Sequence, residues 1–166
     1  KATTQTRWEK MICIQDNTLS KEEIKKLLVF TTHPHEKWAG CVNCAGFGIG
    51  ESQTVNINFD HPLINKILSQ SVEKNKFKEV EWAKIISYPT GSSMSFHLDS
   101  SRETTTGASI TFLNDDFVGG EAIVEGIKIS PLAGRTYYFD GKIYKHAVLN
   151  VVKGIRHTLS VWYKNG

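Results

Sequence analysis

Three side chains in this sequence have the residue types and the spacing of a metal site. Two of them, His97 and Asp99, lie two residues apart in a short segment where apolar and polar residues alternate, Met94–Asp99. Such alternation predicts a β-strand, whose successive side chains point to opposite faces. His97 and Asp99 therefore share one face, roughly 6–7 Å apart along the strand. Two side chains placed in this way can converge on one ion.

The third candidate ligand is His146, which lies farther along the chain in the segment KHAV. A His-x-Asp pair with one distant histidine is typical of the facial triad of non-haem Fe(II) oxygenases. Two imidazoles and one carboxylate cover one face of an octahedron, so a bidentate 2-oxo acid can take two open positions and O₂ the third. On these residues alone, the alternative that both histidines are ordinary core or surface residues stays open.

Arg156 favours the interpretation of His97, Asp99 and His146 as a metal site. Asn150–Gly154 is typical of a hairpin turn, so the strands that carry His146 and Arg156 are predicted to be antiparallel neighbours. An arginine inside a barrel needs an anionic partner, and its planar fork fits a carboxylate. An anion beside a metal with open positions indicates a dicarboxylate that reaches from the metal to Arg156. Four residues of the second strand share the face concerned, namely Arg156, Thr158, Ser160 and Trp162.

The elements that must position these residues change along the chain. A capping box at Ser20–Glu23 predicts a helix over residues ~20–30, and Pro62 predicts the start of a second helix. From about residue 80 the sequence predicts short strands separated by turn residues. These strands are Val80–Tyr88, Met94–Leu98, Ala108–Leu113, Glu121–Val124, Thr136–Phe139, Ile143–Leu149 and Arg156–Tyr163. The prediction is an α+β fold, with a β-barrel or jelly roll and two N-terminal helices packed on one sheet.

Composition narrows the class of protein. The chain has 166 residues, 40% of them apolar, and a formal net charge of +3. We expect one domain over residues 1–166 with its catalytic core at about 80–164, and a monomer. The small charge excess does not indicate nucleic-acid binding, and no apolar run approaches the ~20 residues of a membrane span. The N-terminus is polar and shows no secretory signal, so we expect a cytoplasmic protein. Because the sequence begins with Lys, we expect this end to be trimmed.

The chain has three cysteines, Cys13, Cys41 and Cys44. A small, odd number fits a reducing compartment better than a disulfide framework. Cys41 and Cys44 form a CxxC motif with His33 and His35 nearby. A structural zinc site, a redox pair and ordinary loop or strand cysteines all stay open for this motif.

The segment from Tyr88 to Tyr163 resembles the catalytic domain of the 2-oxoglutarate- and Fe(II)-dependent prolyl hydroxylases, both the collagen-type and the oxygen-sensing enzymes. The matching pieces occur in order as YPTG, HLD, ASITFLNDDFVGGEAIV, LAGRTYYFDG, HAVLNV and GIRHTLSVWY. The resemblance implies a double-stranded β-helix, which is a jelly-roll or cupin-like fold. It also implies hydroxylation of prolyl residues in a peptide or protein, with succinate and CO₂ as co-products. Fe(II), 2-oxoglutarate and O₂ are the implied cofactors and co-substrates, with ascorbate as a stimulant.

The same resemblance assigns roles to individual residues. His97, Asp99 and His146 resemble the iron ligands, and Arg156 resembles the partner of the distal carboxylate of 2-oxoglutarate. The implied co-substrate contacts also include Tyr88 and Ser160, whereas the implied substrate contacts are Arg102 and Trp162. Phe112 lies where some relatives have a tyrosine that contacts 2-oxoglutarate, so this chain lacks one hydroxyl there.

Alternative interpretations remain for several of these residues. Tyr88 and Trp162 also fit core or rim packing, and Arg102 also fits a solvated loop charge. The glycine-rich segment Cys41–Gln53 fits either a loop over the mouth of the site or a surface loop. Gly119-Gly120 is predicted to be a tight turn with a purely structural role.

Other functions are also compatible with the sequence. Another residue type or a free amino acid could be the substrate of the same chemistry. A nucleic-acid demethylase is disfavoured because Trp162 stands where such enzymes carry a second arginine. A cupin-like metal-binding module without oxygenase activity is disfavoured by Arg156 and Tyr88.

Overall fold

The computed structural model describes residues 3–9, 12–32, 36–39, 48–49, 51–75, 77–99 and 102–165. Helix α1 is Lys21–Leu28, a 3₁₀ turn follows at Val29–Thr32, and α2 is Pro62–Asn75. Strands β1 to β15 are, in chain order, Gln5–Glu9, Ile12–Asp16, Glu36–Ala39, Gly48–Ile49, Glu51–Ile57, Glu79–Pro89, Ser93–His97, Gly107–Phe112, Val118–Gly119, Ala122–Val124, Ile127–Ile129, Thr136–Phe139, His146–Val148, Val151–Lys153 and Ile155–Lys164.

The strands build two sheets with a cavity between them. Within the described residues, the larger sheet has the order β1-β2-β12-β8-β15-β6-β5-β3 and the smaller one β11-β10-β13-β7-β4, while β14 and β9 form a short pair. Side chains from both sheets line the cavity. This arrangement is the predicted jelly roll, and the fold class is confirmed.

Both helices cover the outer face of the larger sheet, as predicted. At the start of α1, the Glu23 backbone N–H donates to Ser20 Oγ at 3.1 Å and the Ser20 N–H donates to Glu23 Oε1 at 2.8 Å. This reciprocal pair satisfies two backbone donors that the first turn leaves free. The apolar helix side chains pack with the outward side chains of the sheet in one buried cluster, which includes Leu27, Ile64, Ile67, Ile85 and Leu159.

The predicted hairpin between His146 and Arg156 is wrong. His146 begins β13, which lies between β10 and β7 in the smaller sheet, whereas Arg156 lies in β15, between β8 and β6 in the larger sheet. The chain between them does not turn straight back, because Val151–Lys153 forms β14 and pairs with β9. Gly154, with φ of +88°, then turns the chain into β15. His146 and Arg156 thus belong to different sheets.

Other boundaries also differ from the prediction. The strand expected over Ile143–Leu149 is only His146–Val148. The residues before it form a turn instead, because the backbone carbonyl oxygen of Asp140 accepts from the N–H groups of Ile143 at 3.3 Å and Tyr144 at 3.0 Å. Strands β1, β2, β3 and β5 in the first half were not predicted. In β2 and β5, the alternation of apolar and polar residues that signals a strand is hidden. This is because β2 buries four consecutive residues and β5 buries the polar Ser52 and Thr54.

The glycine-rich segment was predicted as a loop throughout, which is wrong for its last part. Gly48–Ile49 pairs with β7, and β5 begins at Glu51 and pairs with β6. Residues 41–47, with Cys41 and Cys44, lie outside the described residues, as do His33 and His35. No helix among the described residues is long and apolar enough to cross a membrane.

Candidate metal centre and its cavity

The three predicted ligands meet at one end of the cavity. β7 and β13 are antiparallel neighbours in which His97 lies opposite His146, and Asp99 follows two residues after His97. Asp99 Oδ1 is 3.2 Å from His146 Nε2 and 3.8 Å from His97 Nε2. One ligand atom from each residue lies within 4.8 Å of the other two. Ligands at right angles on a metal at about 2.1 Å lie about 3 Å apart, so the three side chains can share one ion.

Backbone hydrogen bonds set the orientation of both histidines. His97 Nδ1 is 2.8 Å from the Ser95 carbonyl oxygen, and His146 Nδ1 is 2.9 Å from the Tyr144 carbonyl oxygen. A carbonyl oxygen only accepts, so each Nδ1 carries the proton and donates. In the neutral imidazole, Nε2 then keeps its lone pair, and in both residues Nε2 is the nitrogen that faces Asp99.

The charges of this cluster suit a divalent cation. Burial, together with the neighbouring His146, lowers the pKa of His97, so its ring is neutral near pH 7. Burial alone would raise the pKa of Asp99, but the hydrogen bond and charge of His146, the charge of His97 and a hydrogen bond from Trp162 outweigh burial and lower it. The site therefore presents an ionised carboxylate between the two histidine rings, and the ring of His97 is neutral.

Gly141, in the turn that follows β12, is a backbone neighbour of Asp99. The Asp99 backbone N–H donates to the Gly141 carbonyl oxygen at 2.8 Å. A Cβ atom on Gly141 would lie 2.0 Å from Asp99 Oδ2 and 2.8 Å from its Cγ. The missing side chain at position 141 thus makes the room in which the Asp99 carboxylate lies.

Arg156 is the other charged residue of the cavity, and its side chain is 1% exposed. Its Nε donates to the Gly120 carbonyl oxygen at 2.8 Å and its Nη1 to Thr158 Oγ1 at 3.3 Å. Its Nη2 is buried and, among the described residues, has no hydrogen-bond partner. Buried donors of this kind are costly unless something accepts from them. An anion in the cavity would supply that acceptor.

Aromatic rings surround the guanidinium. Its Cζ lies 5.5 Å from the ring centre of Tyr88 and 5.2 Å from that of Phe112. Tyr88 pairs with Arg156 across the β6–β15 ladder, so the two side chains point to the same face. Phe112 is fully buried and contributes a ring without a hydroxyl, as its residue type predicts.

The cavity joins the triad to Arg156, since residues of both line it. Most of its wall is apolar, with contributions from Ile86, Met94, Val124, Ala147 and Val148. Its polar lining consists of His97, Asp99, His146, Arg156, Tyr88, Tyr137, Thr158 and Ser160. A few polar groups in a mainly apolar cavity are typical of a site for a small molecule.

The two predicted substrate contacts, Trp162 and Arg102, differ in their relation to the cavity. Trp162 lines the cavity, stacks on Trp82 with ring centres 4.0 Å apart, and donates a hydrogen bond to Asp99. Arg102 is exposed and is absent from the cavity lining; its Cζ lies 5.0 Å above the ring of Trp82. The structure therefore brings Tyr88, Ser160 and Trp162 to the cavity, and it leaves Arg102 at the surface next to it.

The sequence interpretation missed two contacts of Arg156. Gly120 was assigned only a structural role, yet its carbonyl oxygen holds Nε, and a Cβ there would lie 3.0 Å from Arg156 Cδ. Tyr137 was not considered, although it lines the cavity and interacts with Arg156. Strand pairing could have found Tyr137, because it lies opposite Ile110, which lies opposite Ser160.

A jelly roll that holds two histidines, a carboxylate and a buried arginine in one cavity defines the class of non-haem Fe(II) oxygenases. Residues 83–164 match the family model of the 2OG-Fe(II) oxygenase superfamily. This segment therefore forms a 2OG-Fe(II) oxygenase domain, and the chain has a prolyl hydroxylase-like fold. The family uses Fe(II), 2-oxoglutarate and O₂. No curated protein sequence matches the chain.

Solved structures with the same fold include several prolyl hydroxylases. A Pseudomonas putida prolyl-4-hydroxylase is 16% identical with a TM-score of 0.72, over 93% of this chain and 92% of that chain. A viral collagen prolyl hydroxylase from Paramecium Bursaria Chlorella virus-1 is 19% identical with a TM-score of 0.70, over 95% and 97%. A Trichoplax adhaerens prolyl hydroxylase, in complex with a hypoxia inducible factor peptide fragment, is 16% identical with a TM-score of 0.66, over 93% and 83%. At these identities the likeness shows the fold.

Proposed function

We propose that this protein is a 2-oxoglutarate-dependent dioxygenase that hydroxylates prolyl residues in a peptide or protein, and that residues 1–166 form a single catalytic domain. The observation that carries the co-substrate part is the buried Nη2 of Arg156, which lacks a partner among the described residues and lies in the same cavity as the triad. The prolyl part is supported by the tryptophan next to Asp99 and by the fold, which three solved prolyl hydroxylases share.

His97, Asp99 and His146 are the proposed iron ligands. Their donor atoms fit the metal because the two Nε2 lone pairs and one carboxylate converge, while the Nδ1 protons are held by backbone carbonyls. Bound Fe(II) would supply the activation of O₂ and the oxidation, and the protein orients the reactants around it. No residue of the site is required to act as a general base.

Arg156 is the proposed partner of the distal carboxylate of 2-oxoglutarate. The Gly120 and Thr158 bonds fix the guanidinium in one orientation, so little conformational entropy is lost on binding. Tyr88 and Ser160 line the same cavity and offer hydroxyl groups to the co-substrate. The apolar remainder of the wall keeps water out, which strengthens the interaction between the carboxylate and the guanidinium.

Trp162 is the proposed wall of the substrate pocket. A prolyl ring is apolar and has no N–H, so its pocket needs flat apolar surface more than hydrogen-bond donors. The stack of Trp162 on Trp82 offers such a surface beside Asp99. Arg102, exposed above Trp82, is the proposed contact for the peptide on either side of the proline.

Incubation with Fe(II), 2-oxoglutarate and a library of proline-containing peptides tests the proposal. We expect succinate to form and a peptide to gain the mass of one oxygen atom on proline. His146→Gln should abolish both, whereas the matched control His157→Gln should keep both, because His157 bonds to Ser87 Oγ at 2.6 Å and does not line the cavity.

Two other outcomes would redirect the proposal. Succinate without any modified proline would leave the oxygenase class and refute the prolyl substrate, so amino acids and nucleic acids would be tested next. No succinate under any condition, in protein that binds the metal, would favour a metal-binding module without oxygenase activity.

A further inference from the structure

Tyr137 is a buried tyrosine that the proposed reaction does not yet use. It lies in β12, with 3% of its surface exposed, and its side chain lines the cavity. Its ring stacks on Phe139 at 5.7 Å between centres and lies 6.0 Å from Phe112. Packing from two rings fixes the phenol in place, so its hydroxyl has a defined position.

Strand pairing places Tyr137 in a row of residues that leads to Arg156. Tyr137 lies opposite Ile110 of β8, and Ile110 lies opposite Ser160 of β15. These three side chains line the cavity, as does Arg156, which shares the inward face of β15 with Ser160. Neighbouring strands are about 4.8 Å apart, so a long side chain on β12 reaches over Ile110 towards β15.

The electrostatic surroundings keep the Tyr137 hydroxyl protonated. Burial raises its pKa to about 12, although the nearby charge of Arg156 acts to lower it. A protonated phenol next to a guanidinium can donate its own proton elsewhere in the cavity. The two groups thus present donors to one point, and an ionised carboxylate is the group that accepts from both.

We propose that the Tyr137 hydroxyl donates a hydrogen bond to the distal carboxylate of 2-oxoglutarate, beside the guanidinium of Arg156. This inference rests on the proposed function, since it assumes that the dicarboxylate binds in this cavity. Tyr137 is then a co-substrate-binding residue contributed by β12, two strands away from Arg156.

The test measures binding without turnover. Isothermal titration of Mn(II)-loaded protein with 2-oxoglutarate gives the dissociation constant, and titration with pyruvate, which lacks the distal carboxylate, gives the reference. Tyr137→Phe removes one oxygen and keeps the ring. We expect it to raise the dissociation constant for 2-oxoglutarate about tenfold to a hundredfold, because the bond lost is to a charged group, and to leave that for pyruvate unchanged.

Tyr138→Phe is the matched control on the same strand. The Tyr138 hydroxyl points to the opposite face of the sheet, where it donates to the Ile67 carbonyl oxygen of α2 at 3.2 Å. This variant should bind 2-oxoglutarate as the parent does. Melting temperatures without ligand establish that both variants are folded.

Three results would overturn the inference. If the parent binds 2-oxoglutarate and Tyr137→Phe binds it equally well, Tyr137 is only a packing residue. If Tyr137→Phe weakens pyruvate to the same extent, its effect comes from a general distortion of the cavity. If the Mn(II)-loaded parent does not bind 2-oxoglutarate at all, the proposed function fails and the role of Tyr137 fails with it.

Discussion

Partly buried Arg135 and fully buried Arg156 should respond in different ways to the same substitution. Arg135 is paired within the fold, since its Nε and Nη2 donate to the two carboxylate oxygens of Asp16 at 2.6 and 3.1 Å. Arg156 has no such partner in the part of the chain that the structure describes, and its Nη2 is buried without an acceptor. We therefore expect Arg135→Met to damage stability and Arg156→Met to damage ligand binding.

The magnitudes follow from the groups that each substitution leaves behind. Arg135→Met leaves Asp16, among the described residues, with the weaker contact to Arg7 at 3.7 Å, and should lower the free energy of unfolding by about 2–3 kcal/mol. Arg156→Met leaves the Gly120 carbonyl without its donor, at a cost of about 1–2 kcal/mol, but also removes a buried cation. These two effects largely offset each other, so the ligand-free variant should be within about 1 kcal/mol of the parent.

Ligand-induced stabilisation separates the two cases further. With Mn(II) and 2-oxoglutarate at about 100 times its dissociation constant, the parent should gain about 2.7 kcal/mol of stability. For a chain of this size, that gain raises the melting temperature by about 5–10 °C. Arg135→Met should keep the gain from its lower starting point, whereas Arg156→Met should lose nearly all of it.

Thermal unfolding of the parent and the two variants, each with and without 2-oxoglutarate in the presence of Mn(II), tests the prediction. Titration calorimetry with 2-oxoglutarate on the same samples gives an independent value for the loss of affinity. The reasoning is refuted if ligand-free Arg156→Met is destabilised as strongly as Arg135→Met. It is equally refuted if Arg156→Met retains the parental shift in melting temperature.

Three further predictions concern the neighbours of the metal site and the Asp16 pair. Gly141→Ala should weaken Mn(II) binding by about tenfold or more, because its methyl group would occupy the space of Asp99 Oδ2; an unchanged affinity by titration would contradict the steric role. Trp162→Phe keeps an aromatic ring but loses the N–H donor to Asp99, so it should keep peptide hydroxylation and lower the affinity for Mn(II). Trp162→Ala loses the ring as well, so it should abolish peptide hydroxylation and leave some uncoupled succinate formation. Chiefly through the hydrogen bond from Arg135, the pKa of Asp16 lies below its ordinary value of 3.8, so ionised Asp16 stabilises the fold above that pH. The destabilisation by Asp16→Asn, measured by denaturant unfolding, should therefore be full at pH 7 and fade as the pH falls through the lowered pKa; a pH-independent loss would count against it.

The parts of the fold that local chemistry determines were predictable from the sequence. The capping box at Ser20 gave the start of α1, and Pro62 gave the start of α2. Alternation in β15 gave the inward face, because Arg156, Thr158, Ser160 and Trp162 all line the cavity. In each case the signal lies within a few residues, and the structure around it does not override the preference.

Strand pairing over longer distances was not predictable in the same way. The residues after Val148 signal a turn, but a turn signal does not say which strand the chain will join, and β14 joins β9 before β15 begins. Tyr137 was missed for a related reason, since all four residues of β12 are buried and their sequence does not distinguish the inward face from the outward one. Only the register with β8 makes that distinction.

The error over the hairpin matters for the chemistry of the site. Neighbouring strands with a turn at Asn150–Gly154 would make His146 and Arg156 diagonal neighbours about 7–8 Å apart, which leaves little room for a dicarboxylate between the metal and the guanidinium. In the structure the two residues belong to different sheets, and packed sheets lie about 10 Å apart. The separation of the sheets, rather than the turn between the strands, therefore sets the length of diacid that can bridge the two groups. This geometry explains how His146 and Arg156 can lie close in sequence and still be far enough apart for the proposed dicarboxylate to reach from one to the other.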